Sequence, residues 1–238
     1  MCGRFTLTKT QTQLNLFLDS LGVQSPDEFK STFTSQYNVA PSQNVLTIVA
    51  KENQRQAEYL RWGLIPPWSK QGLKSKPLIN ARRETLAEKP SFKQALISRR
   101  CLIIADGFYE WNHEQYRKNP LFFQLDDRSL FAFAGLWESW QNNNGEIINS
   151  TTIINTSAIG IMKDIHPRMP VVLSPDVYDD WLNHDITNTK DLNEILLNNL
   201  GTKFTYYPVS EKVNSVKNNY SDLLKEEKVI ITQQLSLF

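Results

Sequence analysis

Cys101-Leu102-Ile103-Ile104-Ala105-Asp106-Gly107-Phe108-Tyr109-Glu110-Trp111 joins a short apolar run of β-forming residues to a polar break and an acid set between two aromatics. The run Cys101–Ala105 reads as a strand, and similar runs recur at Val45–Ala50, Leu121–Leu125, Leu130–Ala134, Thr151–Ile154 and Lys203–Tyr207. Polar or glycine-containing breaks such as Asn142-Asn143-Asn144-Gly145 separate them. Helical signals interrupt the strands. Thr10 to Leu21 carries Leu14, Phe17, Leu18 and Leu21 at i, i+3, i+4, i+7, with Thr10 and Gln13 as a capping box and Gly22 as stop. Pro90 to Ser98 predicts a second helix, Ser174-Pro175 opens a third, and Asp191–Leu200 a fourth that ends at Gly201. The pattern predicts an α+β fold with a largely antiparallel, barrel-like sheet and flanking helices. No repeat or linker divides it, so residues 1–232 form one domain and 233–238 a loose tail.

At 238 residues and 40% hydrophobic, the chain can bury one sizeable core. It has no apolar run of membrane-spanning length and no signal-peptide pattern, which predicts a soluble, cytoplasmic protein. Cys2 and Cys101 are its two cysteines, too few for a disulfide framework and without the spacing of a zinc or redox pair. Neither a metal nor another cofactor is implied. The formal net charge is +1, yet residues 61–100 carry ten basic side chains against two acidic ones. Such a segment suits a polyanion docked at one place, though a solvated face of long side chains would look the same.

Cys2 directly follows Met1, a position compatible with removal of the methionine. It would then offer an amine with a pKa of about 7.7–8.0 beside a thiol of about 8.5. An aldehyde condenses with such an amine to an imine, and the thiol closes on the imine carbon as a five-membered thiazolidine. Three further segments combine polar and apolar residues: 77–85 with Asn80, 106–111 with Glu110, and 165–170 with His166. Burial between aromatics would favour the protonated form of Glu110 and suit it to proton transfer; a salt-bridged structural carboxylate is the competing reading. His166 precedes Pro167, which favours an extended or turn backbone.

Met1-Cys2-Gly3-Arg4, Ile79-Asn80-Ala81-Arg82, Asp106-Gly107-Phe108-Tyr109-Glu110-Trp111 and His166-Pro167-Arg168-Met169-Pro170 together resemble the SRAP family of abasic-site processing proteins. The resemblance extends to Tyr37-Asn38-Val39-Ala40-Pro41, to 62–68 and to 208–219. It implies a protein that binds single-stranded DNA, also at junctions with duplex, and forms a reversible thiazolidine with the ring-opened sugar of an abasic site. Cys2 would be the nucleophile, Asn80 would position the adduct, and Glu110 and His166 would move protons. Arg4, Asn38, Pro41, Arg82 and Arg168 would contact DNA, and Trp68 would wedge between bases. Two positions depart from the family pattern: Pro167 removes a backbone donor beside His166, and Asn155 stands where a hydroxyl residue is common. The chain is expected to act as a monomer, with abasic DNA as partner and lyase or Met1-removing activity as accompaniments. A thiol peptidase built on Cys2, His166 and Glu110 and a non-catalytic single-strand binder are the alternatives.

Overall fold

A computed structural model describes residues 2–24, 33–51, 54–112, 120–198 and 203–227. In chain order its strands are β1 (Arg4–Leu7), β2 (Val23–Gln24), β3 (Gln36–Val39), β4 (Asn44–Lys51), β5 (Gln54–Trp62), β6 (Asn80–Arg82) and β7 (Arg100–Ala105). They continue as β8 (Gly107–Trp111), β9 (Pro120–Leu125), β10 (Phe131–Gln141), β11 (Ile147–Ser157), β12 (Arg168–Pro170), β13 (Val172–Leu173) and β14 (Phe204–Pro208). The helices are α1 (Gln11–Ser20), α2 (Pro90–Ser98), α3 (Tyr178–Leu182) and α4 (Thr189–Ile195).

Strands β4, β5, β11, β10 and β7 close on themselves into a barrel. A ring of five strands cannot alternate direction throughout, so one neighbouring pair must run parallel. That pair is β5 with β11, where Arg61 meets Ser150 and Trp62 meets Thr151. β6 lies parallel to β11 and β12 antiparallel to it, extending the wall beyond the closure. A second, wholly antiparallel sheet runs β14-β9-β8-β1-β3. The two sheets share a core: Phe5 and Phe108 of the second pack with Val49, Cys101, Phe133 and Ile153 of the barrel. Phe108 stacks on Phe123 at 5.0 Å between centroids, and Phe5 meets Trp62 at 5.1 Å. Such aromatic burial dominates core energetics.

The expected capping box is present: Thr10 Oγ1 accepts the Gln13 N–H, and Gln13 Oε1 accepts the Thr10 N–H. Gly22, just past α1, has φ +62°, the left-handed conformation glycine adopts freely. α2 coincides with its sequence prediction and starts on Pro90. Two helices differ from expectation. Ser174 hydrogen-bonds Asp176 rather than a backbone N–H, and the chain passes through one 3-10 turn, Pro175–Val177, before α3. The last helix starts earlier than expected because Asn188 caps it by accepting the Lys190 N–H at 2.9 Å, and it ends at Ile195. Gly201 and the tail 233–238 lie outside the described residues.

Candidate active site around Cys2

Cys2 leads into β1, whose partner β8 carries Glu110: Arg4 faces Tyr109 and Phe5 faces Phe108. The Cys2 side chain is fully buried, and its thiol donates weakly to the Arg4 carbonyl at 3.7 Å. Burial pushes the thiol pKa far above its ordinary value, and the nearby charge of Glu110 pushes it the same way. Asn80 meets Cys2 from the barrel side. β6 holds its backbone against β11, opposite Ile153, and Asn80 Nδ2 donates to the Cys2 carbonyl at 2.8 Å. Its other polar atom, Oδ1, is buried and accepts no hydrogen bond from the described residues.

Glu110 is 2% exposed on β8. His166 follows a 3-10 turn, Gly160–Asp164, and its Nδ1 lies 2.9 Å from the Arg168 backbone nitrogen, which donates to it when it is unprotonated. The Arg168 carbonyl also lies 2.9 Å from Nδ1, so a protonated ring finds an acceptor there. Pro167, despite its missing donor, contributes its carbonyl to the Ala158 N–H at 3.0 Å. Residues next to each of these groups share one cluster with Cys2: Ile79 beside Asn80, Phe108 near Glu110, and Ile165 and Met169 around His166. The four motifs therefore share one apolar core with Cys2, and Asn80 among them bonds it directly.

Arg4 and Asn38 are turned toward each other. Arg4 Nη1 donates to Asn38 Oδ1 and to the Val213 carbonyl, both at 2.7 Å. Asn38 is 2% exposed, and its Nδ2 is shared among the carbonyls of Val213, Ser215 and Asn218. Trp111 Nε1 donates to Asn214 Oδ1 at 2.8 Å. The 213–219 motif is thus a strap bound to β1, β3 and β8, a role its sequence did not announce. Pro41 lies half-buried in the turn between β3 and β4, beside Ser42 at φ +75°.

The basic segment is divided in its roles. Arg100 is fully buried and gives its hydrogens to the carbonyls of Leu96, Ile97, Trp181 and Asn183, satisfying the ends of α2 and α3; its placement inside corrects the expectation of a surface charge. Burial lowers its pKa to about 10. Arg99 pairs with the buried Glu138 at 2.8 Å. Arg82 is exposed, and Arg82, Asn155 and Pro170 lie in register across β6, β11 and β12. Arg168 donates to both oxygens of Glu84, at 2.9 and 2.8 Å, and to Asn155 Oδ1. Desolvation opposes ionisation of Glu84, but the Arg168 hydrogen bonds prevail and hold its carboxyl below the usual range. The sequence signal for Glu84 is an acid directly following Arg82 and Arg83, one of two acids in a basic segment. Trp68, 55% exposed, stands out from the loop between β5 and β6. No described helix is long and apolar enough to cross a membrane, and among the described residues no acids, histidines or cysteines are grouped to hold a metal ion.

Three curated relatives match nearly the whole chain. The abasic site processing protein YoaM of Bacillus subtilis (strain 168) is 44% identical over 95% of this chain and 99% of its own. YedK of Escherichia coli (strain K12), with the same description, is 31% identical over 94% and 99%. HMCES of Xenopus tropicalis, also described so, is 28% identical over 98% of this chain and 80% of its own. A crystal structure of a Bacteroides thetaiotaomicron protein superposes with a TM-score of 0.83 at 24% identity, covering 95% of this chain and all of that one. A Bordetella bronchiseptica protein does so at 0.73 and 25%, over 88% and 100%. The family model described as SOS response associated peptidase (SRAP) matches residues 1–216, and the chain belongs to that family.

Proposed function

We propose that this protein processes abasic sites in single-stranded DNA by a reversible covalent bond to Cys2, formed once Met1 has been removed. The carrying observation is the Asn80–Cys2 hydrogen bond, which fixes the backbone of the residue whose amine and thiol must meet one carbon. The buried Oδ1 of the same amide suits an N–H of the freed amine. Four proton and bond changes balance the reaction. The closed sugar opens to its aldehyde, the amine adds to C1′, water departs to leave an imine, and the thiol adds to the same carbon while its proton passes to nitrogen. The products are one thiazolidine and one water, with no oxidant or reductant. Glu110, whose charge is felt at the thiol, suits the proton transfers, and His166 suits a second acid or base.

A thiol peptidase has less support, because burial and the neighbouring acid disfavour the thiolate that such an enzyme needs. Relatives described as abasic site processing proteins favour the DNA reading. Denaturing electrophoresis of protein beginning at Cys2 with an abasic single-stranded oligonucleotide tests it: a covalent shift that Cys2→Ala abolishes is expected. No shift would exclude covalent capture, and an equal shift with protein retaining Met1 would exclude the thiazolidine.

A further inference from the structure

The loop that presents Trp68 is held from outside by the β10–β11 hairpin. Trp140, opposite Ile148 near the hairpin end, donates its indole N–H to the Ser69 carbonyl at 2.8 Å. The Ser69 N–H bonds back to the Pro66 carbonyl at 2.9 Å, so Trp68 sits inside a turn anchored at its far side by Trp140. Gly72 then packs on the same indole: a Cβ there would lie 2.2 Å from the ring, and φ is +50°. Its N–H donates to Ser69 Oγ at 3.0 Å, and its carbonyl accepts the Ser75 hydroxyl at 2.6 Å. The backbone after Trp68 is clamped while the Trp68 ring is left exposed.

We infer that Trp140 is a positioning residue that, through Ser69 and Gly72, fixes the loop so that Trp68 meets the bases beside an abasic site already oriented. This rests on the DNA reading above. An exposed aromatic that stacks on bases gains less when its loop must first be ordered, and Trp140 removes that cost before DNA arrives.

Trp140→Phe loses the donor and the outer ring atoms that meet Gly72; Gly72→Ala leaves the indole in place chemically and displaces it by the added Cβ. Limited trypsin digestion of the free protein at Lys70 and Lys74 reads the loop's attachment, with cleavage expected about fivefold faster in both variants, the weight of one neutral hydrogen bond. A strand carrying 2-aminopurine next to the abasic site reads unstacking. Its fluorescence rise should be diminished in Trp140→Phe and in Trp68→Ala, and the double variant should be no worse than Trp68→Ala alone. Wild-type cleavage rates in both variants, or penalties that multiply in the double variant, overturn the inference. A wild-type protein that forms no adduct sinks the DNA reading alone; the trypsin comparison then still upholds or overturns the hold of Trp140 on the loop.

Discussion

Asn80 Nδ2 reaches the carbonyl oxygen of Cys2 at 2.8 Å, joining β6 of the barrel wall to the residue that precedes β1 of the other sheet. The bond crosses 78 positions of sequence, so it fixes the Cys2 backbone relative to the barrel. Asn80→Ala should slow adduct formation about tenfold, the worth of one well-placed hydrogen bond. Asn80→Asp should slow it further, because a carboxylate would face a carbonyl with no hydrogen between them. Single-turnover rates of crosslinking measure both. An Asn80→Asp protein that reacts at the wild-type rate would show the contact to be irrelevant.

The Glu84–Arg168 pair makes a pH-dependent contribution to stability. Glu84 has its folded pKa lowered from an ordinary value near 4.5, so its contribution is complete above that value and is lost as pH falls through the lower, folded one. At neutral pH, Glu84→Gln should lower the melting temperature. Its side chain is 39% exposed, so the effect is limited to about 1 kcal/mol after screening. Once the pH has fallen below the lowered, folded pKa of Glu84, the variant and wild type should melt together. A difference that persists there would mean that shape rather than charge links the two residues.

Local chemistry was readable in the sequence and distant pairing was not. Thr10 with Gln13 and Pro90 at a helix start depend on neighbours within one turn, and both behave as their residues predict. β5 escaped notice because Gln54-Arg55-Gln56-Ala57-Glu58-Tyr59-Leu60-Arg61-Trp62 places Ala57, Leu60 and Trp62 inside among polar residues, blurring the period of two. Closure of the barrel through a parallel β5–β11 pair is a matter of register between strands about ninety residues apart, to which no local pattern points. Asn38, to which the family resemblance gives a DNA contact, also holds the carbonyls of Val213, Ser215 and Asn218, at least 175 positions away, and no local pattern points to those bonds.

Only part of the basic segment faces outward, which sharpens the expected salt dependence. Arg82 is exposed on β6, two residues from Asn80, whereas Arg99 is engaged with Glu138 and Arg100 is buried. Affinity for single-stranded DNA should fall steeply with salt, and each phosphate contact removed should reduce the log–log slope by about 0.7. Arg82→Ala should show that reduction for intact and abasic strands alike, and Arg99→Ala should leave the slope unchanged. Fluorescence anisotropy across a salt series gives both slopes. Equal slopes for wild type and Arg82→Ala would remove Arg82 from the docking surface.

Glu110 is buried on β8 and its charge acts on the Cys2 thiol, whereas His166 has one ring nitrogen fixed by the Arg168 backbone. The closed sugar of an abasic site hides its aldehyde, so a proton must reach the ring oxygen and another must leave the hydroxyl before the amine can attack. A positioned acid or base contributes about 10²–10⁴-fold in rate to such a step. Glu110→Gln keeps the size of the side chain and removes its proton chemistry, so adduct formation should slow within that range while the melting temperature changes little. By microscopic reversibility the same transfers operate when the ring reopens. The variant should therefore release a preformed adduct more slowly, leaving a crosslink that forms late and persists. His166→Ala should slow formation as well. The measurement is a time course of crosslinking followed by a chase with unlabelled abasic strand, run for wild type and both variants from about pH 5.5 to 8.5. Slow formation with unchanged release in Glu110→Gln would confine the carboxylate to sugar opening; unchanged rates in both directions would return it to a structural role beside Cys2.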